Sequence, residues 1–136
     1  NTTEAALLLG DPMPGVTGEA ELHTAQTQAQ RLTRICPRVL ITGVAAGRGI
    51  ACVGADRATG ESLVRTPMVP KRFHGTGDIF GAVLVGRLLQ GNVLPAAAQA
   101  AAVFVADCLK ATPDEADERL GVWLESVLPQ LMQNPE

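Results

Sequence analysis

Residues 74–78 read His74-Gly75-Thr76-Gly77-Asp78 and lie between a proline-flanked stretch and an apolar run with helical character. Glycines at 75 and 77 let the backbone come close to a ligand and turn its N–H groups toward it. A helix that starts there adds partial positive charge, so the turn suits an anion. Asp78 falls in the first turn of that helix. A carboxylate beside bound phosphate is repelled unless it has a task, and the task that fits is accepting the proton of a hydroxyl that attacks a terminal phosphoryl group. The same residues admit a plainer account, a tight turn followed by an acid that favours a helix N-terminus. His74 has no assignable role beyond packing beside the turn.

Two weaker patterns accompany this one. Asn1-Thr2-Thr3-Glu4 heads a helical run and reads most simply as an N-cap with a capping-box glutamate. Thr42-Gly43 closes an apolar strand. In open α/β sheets ligands bind beyond the carboxyl ends of the strands, so a hydroxyl and bare backbone there suit a phosphate. A strand end with a turn glycine explains the pair equally well.

The elements that must position these residues follow from periodicity and punctuation. Thr2 to Leu9 is a short helix stopped by Gly10, and Asp11 to Gly18, with Pro12, Pro14, Gly15 and Gly18, is a loop. Leu22, Ala25, Ala29, Leu32 and Ile35 recur at helical spacing from Glu19 to Ile35, and Pro37 ends that helix. Val39 to Val44 has the pattern of a strand buried on both faces. Ile50 to Ala55 and Ser62 to Thr66, separated by turn residues, pair as a hairpin. A helix apolar almost all round runs from Gly77 to about Gln90 and is expected to be buried. An Ala-rich helix follows from Pro95 to Leu109, and Thr112-Pro113-Asp114-Glu115 reads as a capping box for a last helix. That helix carries Leu120, Trp123, Leu124, Val127 and Leu131 on one face, with Trp123 in the core and Pro129 kinking or ending it. Asp114, Glu115, Asp117 and Glu118 crowd its first turn, where the helix dipole favours them. Arg87 is expected to snorkel or to pair with Asp107 or an acid elsewhere.

Composition excludes several classes of function. The chain has 136 residues, 46% of them hydrophobic, and a net charge of −3, so it is neither disordered nor strongly charged. Its basic residues are scattered and aromatic residues make up only 3%, which argues against nucleic-acid binding and an anionic membrane surface. Val93 to Leu109 is too short and too interrupted to span a bilayer. Cys36, Cys52 and Cys108 are odd in number and widely spaced, so neither disulfides nor a zinc site are expected, and Cys52 and Cys108 read as core. His23 reads as solvated. No signal peptide is read at the start, and the expected compartment is the cytoplasm.

In their order (N-x-x-E, a strand ending Thr-Gly, a hairpin, then G-T-G-D opening a buried helix) these features resemble the C-terminal half of the ribokinase-like superfamily, and within it the pyridoxal (vitamin B6) kinases. The strongest stretch is Arg72 to Phe80. The resemblance implies a three-layer α/β/α fold with a mostly parallel sheet and an antiparallel hairpin at its edge. Residues 1–136 would be the C-terminal, nucleotide-binding half of one kinase domain. It implies ATP-dependent phosphorylation of the 5′-hydroxymethyl group of pyridoxal, pyridoxine or pyridoxamine. Asp78 would be the base and Gly75, Thr76 and Gly77 the anion hole. Thr42 and Gly43 would meet the ATP phosphates, and Thr66, Pro67, Met68, Val69 and Phe73 would lie along the nucleotide. Glu4 with Asn1 would help hold Mg2+, with a monovalent cation as a further candidate.

Hydroxymethylpyrimidine kinases typically carry Cys where this chain has Asp78, and sugar and nucleoside kinases more often show A-G-D or G-A-G-D. The resemblance therefore favours a B6 kinase over a hydroxymethylpyrimidine kinase, with a non-catalytic nucleotide-binding module as the rival from another class. It also implies a homodimer in the complete enzyme, with the vitamin pocket and lid supplied by an N-terminal half. Asn1 would then be an internal residue. Residues 1–136 taken alone would present an unpaired sheet edge.

Overall fold

Asn1 caps helix α1 (Thr2–Leu9). Its Oδ1 accepts the Glu4 N–H at 3.0 Å, and the Glu4 carboxylate accepts from the Asn1 nitrogen, which closes the capping box. The computed structural model describes residues 1–13, 15 and 18–132. Part of the expected loop over 11–18, Pro14 included, lies outside them. Asp11 takes two hydrogen bonds from Arg31 Nη1 at 2.9 and 2.7 Å and one from Gln28 Nε2 at 3.2 Å, tying the end of α1 to helix α2 (Glu19–Leu32). The Arg31 bond above all holds the Asp11 carboxyl below its usual range. Helix α2 stops three residues short of Ile35, which is 70% exposed. Pro37 disfavours helix at the residue before it, and the chain must turn there to enter the sheet.

The sheet consists of β1 (Arg38–Ala46), β2 (Gly49–Asp56) and β3 (Gly60–Thr66), in the order β1-β2-β3. The expected hairpin of β2 and β3 is present, with Ile50 opposite Thr66 and Asp56 opposite Gly60. β1 also pairs antiparallel with β2, and no strand pair among the described residues is parallel. The reason is the link: only Gly47 and Arg48 separate β1 from β2, whereas parallel neighbours need a crossover of about a dozen residues. The outer edge of β1 has no partner among the described residues. It is β2, the central strand, that is buried continuously, from Ala51 to Asp56, whereas β1 is only partly buried.

Helices cover both faces of this sheet. On one face Ala5 of α1 and Ala25, Ala29 and Leu32 of α2 pack with Ile41, Val44, Val53 and Ala55. On the other lie α3 (Thr76–Leu89) and α4 (Leu94–Ala111), where Ala98 meets Cys52 and Val64, and Ala101, Phe104, Cys108 and Leu109 pack with Val83. Helix α4 is two residues longer than expected at its C-terminus. With 18 residues and a mean hydropathy of 1.3 it is long and apolar enough to cross a membrane, yet it buries nine residues and acts as the core helix of this layer.

Three expectations about the helices are corrected. Helix α3 is not buried all round: only Val83 and Arg87 are, while Val85 and Leu89 are 54% and 84% exposed, because α4 covers one flank alone. Arg87 donates to Gln90 Oε1 at 3.1 Å, and Asp107 pairs instead with Lys110 at 2.9 Å. The last helix does not form as expected. Residues 113–128 run as turns around a 3₁₀ turn at Glu118–Leu120, before the short α5 (Pro129–Met132), which Pro129 opens rather than ends. Local side-chain bonds compete with the helix. Asp117 accepts the Arg119 N–H, and the Thr112 hydroxyl donates to the Cys108 carbonyl at 2.7 Å while accepting the Trp123 N–H at 2.9 Å. Trp123 is consequently 55% exposed and Leu120 85% exposed, although Val122 and Val127 still reach the core.

Candidate functional site

Period-two alternation sends Leu40 and Thr42 of β1, Ile50 and Cys52 of β2, and Thr66 of β3 to one face of the sheet. Facing them at helical spacing are Thr76, Gly77, Phe80, Gly81 and Leu84 of α3, and Ala102, Val105, Ala106 and Leu109 of α4. With Gly43 and Pro67 these residues line an open-sided cavity of about 490 Å³. The structure thus brings together Thr42, Gly43, Thr66, Pro67, Thr76 and Gly77, six of the residues expected from the sequence.

Thr42-Gly43 does not end its strand. β1 continues to Ala46, and its register jumps from Ile41 opposite Val53 to Val44 opposite Ala51. Two residues of β1 therefore face one of β2, a bulge made possible by Gly43 at φ 71. The bulge frees Thr42 and Gly43 from the ladder and aims them into the cavity. The Thr66 hydroxyl is already engaged, donating to the Ile50 carbonyl at 2.9 Å.

The turn before α3 leaves its backbone open. Gly75 is the N-cap at φ 81, and its carbonyl accepts the Ile79 N–H at 3.0 Å. No side chain caps the helix, which leaves first-turn N–H groups for an outside acceptor. The space where a side chain would begin is open at both Gly75 and Gly77. Asp78 is exposed in the first turn, and its carboxylate makes no hydrogen bond or ion pair among the described residues. Thr76 and Gly77 line the cavity; Gly75 and Asp78 do not.

The remaining expected residues are divided. Met68, Val69 and Phe73 line a second hollow of about 1050 Å³, together with Lys71, Arg72, Asp114 and Glu118, and Ile50 borders both spaces. Asn1 and Glu4 line neither; their helix packs against α2 and β1. Among the described residues no group of three His, Cys, Asp or Glu side chains could hold a metal. Glu4 still offers one exposed carboxylate, the hard donor that Mg2+ takes when phosphates and waters complete its shell.

Cys52, Ile50 and Phe80 line the cavity without having been singled out for it, although strand alternation on either side of Thr42 and Thr66 marks the first two. Burial pushes the Cys52 thiol up from 9.0 to about 11. The unfolded chain would therefore ionise this thiol at lower pH than the folded one. The contribution of the neutral thiol to stability is complete below pH 9 and is lost as pH rises toward about 11. In Cys52→Ala, thermal melts across that range should show a shallower alkaline loss than in the parent; parallel curves would contradict the assignment.

Residues 1–122 match the family described as phosphomethylpyrimidine kinase. No curated protein matches the chain. Among solved structures, a candidate phosphomethylpyrimidine kinase from Bacteroides thetaiotaomicron superposes with a TM-score of 0.88 at 31% identity, covering 100% of this chain and 47% of that one. Its orthorhombic form with pyridoxal gives a TM-score of 0.84 at 30% identity, covering 100% and 49%. Pyridoxal kinase from Lactobacillus plantarum gives 0.76 at 31% identity, covering 97% and 47%. The chain spans about half the length of the solved structures it matches.

Proposed function

The chain belongs to the phosphomethylpyrimidine kinase family, and from that premise we propose that it is the nucleotide-binding half of an ATP-dependent kinase for the 5′-hydroxymethyl group of pyridoxal and related B6 vitamers. The observation that carries this reading is the turn at 75–78: an uncapped helix start, open space at two glycines, and an exposed carboxylate with no partner among the described residues. The pyridoxal in one matched crystal form and the pyridoxal kinase among the matched structures support the substrate.

The chemistry is in-line displacement at the terminal phosphorus of ATP. Asp78 takes the hydroxymethyl proton as the oxygen–phosphorus bond forms, and the bond to the bridging oxygen breaks to release ADP. N–H groups of Gly75, Thr76 and Gly77 face the charge on the transferring group, where fixed dipoles act without reorganising. We assign Thr42 and the bare backbone of Gly43 to the nucleotide phosphates, and Thr66 to Val69 with Phe73 to the remainder of the nucleotide. Magnesium, when bound, neutralises phosphate charge, and Glu4 with Asn1 are the residues we assign to it. The complete enzyme is proposed to be a cytoplasmic homodimer.

A second reading, a kinase for hydroxymethylpyrimidines, is favoured by the description of the family. A coupled assay of the full-length protein with MgATP separates the two. Pyridoxal should exceed 4-amino-5-hydroxymethyl-2-methylpyrimidine in kcat/KM by about tenfold or more, the low end of what even a one-methylene difference in a pocket confers. The reverse order would move the assignment to the pyrimidine, and no turnover of either would overturn the kinase.

A further inference from the structure

We propose that Lys71 is a positioning residue that latches the anion-binding turn to the segment following α4. The proposal rests on the kinase reading for its effect on turnover, but not for its geometry. Lys71 is half-buried, and its Nζ donates to the Thr112 carbonyl at 2.6 Å and pairs with Asp114 Oδ1 at 2.8 Å. The anchor is stiff. Thr112 is 1% exposed, and its hydroxyl is bonded on one side to the Cys108 carbonyl and on the other to the Trp123 N–H. An ammonium group at the C-terminal end of α4 also meets the negative end of that helix.

Three residues on, the His74 N–H donates to the Glu118 carbonyl at 3.1 Å. Between these two ties, Phe73 packs against the cluster that holds Val122. The strand of chain from Lys71 to His74 is therefore fastened at both ends to residues 112–118, and it delivers directly into Gly75, the N-cap of α3. The direction in which the first-turn N–H groups point depends on α3 from one side and on this strap from the other. Irregular backbone from 113 to 121, in place of the helix expected there, is what lets the segment reach back to the strap.

Loosening the latch should lower transition-state stabilisation more than substrate binding. In the full-length protein, Lys71→Met should lower kcat with MgATP and pyridoxal by about tenfold, as expected for a small misplacement of a preorganised site. The KM for pyridoxal should stay within about twofold, because the altered interaction is made in the transition state. Lys71→Arg, which can donate to both partners, should recover most of the rate. Amide hydrogen exchange supplies a readout that does not depend on activity. In Lys71→Met, exchange at the His74 amide, bonded to the Glu118 carbonyl, and at the Ile79 amide, bonded to the Gly75 carbonyl, should accelerate about tenfold while β2 is unchanged, which is the signature of local opening. Asp114→Asn, at an exposed partner that cannot compromise folding, should give a smaller change at the same amides. Unchanged exchange at His74 and Ile79, or equal acceleration in β2, would overturn the latch. Selective acceleration in a protein that phosphorylates no hydroxymethyl substrate would leave the latch standing and remove the kinase reading.

Discussion

Asp78→Asn in the full-length enzyme should lower kcat by about 10³-fold, within the range general-base catalysis contributes. The affinity for MgATP should change little, because the isostere keeps the side-chain volume. The carboxylate is exposed and unpaired among the described residues, so the substitution removes no structural contact and the fold should melt within about 0.5 kcal/mol of the parent, as surface changes do. This combination separates the two meanings of the residue. An acid present only to favour a helix N-terminus would contribute a few tenths of a kcal/mol through the dipole and nothing to turnover. Steady-state kinetics and nucleotide titration on the same preparation decide between them, and a mutant that turns over like the parent would remove Asp78 from the mechanism.

The second large effect is a contrast between two glycines two residues apart. Gly75 is the N-cap at φ 81, a conformation that costs an L side chain roughly 1–2 kcal/mol, so Gly75→Ala should lower both stability and activity. Gly77 lies inside the first helical turn without a positive φ, and a Cβ there would meet nothing in the chain. Gly77→Ala should therefore leave the fold unharmed or stabilise it by about 0.5 kcal/mol through helix propensity. Its methyl group would nevertheless occupy the open space where the transferring phosphoryl group is to lie, and kcat should fall about 100-fold, as when one donor of an oxyanion site is removed. Loss of activity together with gain of stability is an outcome that damage to folding cannot produce. Thermal melts and kinetics on both variants test it, and an active Gly77→Ala enzyme would remove this turn from the phosphoryl site.

Much of the scaffold was legible because it is encoded locally. The capping box at Asn1 and Glu4, the bounds of α1, the three strands and the start of α4 beside Pro95 each depend on residues within a turn of one another. What was misread depends on competition. The run from Thr112 has a helix-like apolar stripe, yet Thr112 bonds to Cys108 and Trp123, and Asp117 to Arg119, so the chain turns back and Trp123 stays on the surface. Helix α3 is apolar enough for complete burial, but periodicity states only which faces are apolar and not whether anything covers them.

The residue types of the candidate turn and their order were determined by sequence alone. Two glycines and an acid at the head of a helix put bare backbone, free N–H groups and a carboxylate within one turn, because glycine's backbone freedom and the charge at a helix end are properties of a few consecutive residues. Tertiary structure decided which other residues stand with that turn. A bulge at Gly43 re-aims Thr42, the expected nucleotide residues fall in two hollows, and Asn1 and Glu4 remain apart from both. Those placements depend on strand register and on contacts across about 40 residues of chain, such as Lys71 to Thr112. Such long-range pairings are settled by competition among whole packings, and no local pattern specifies them.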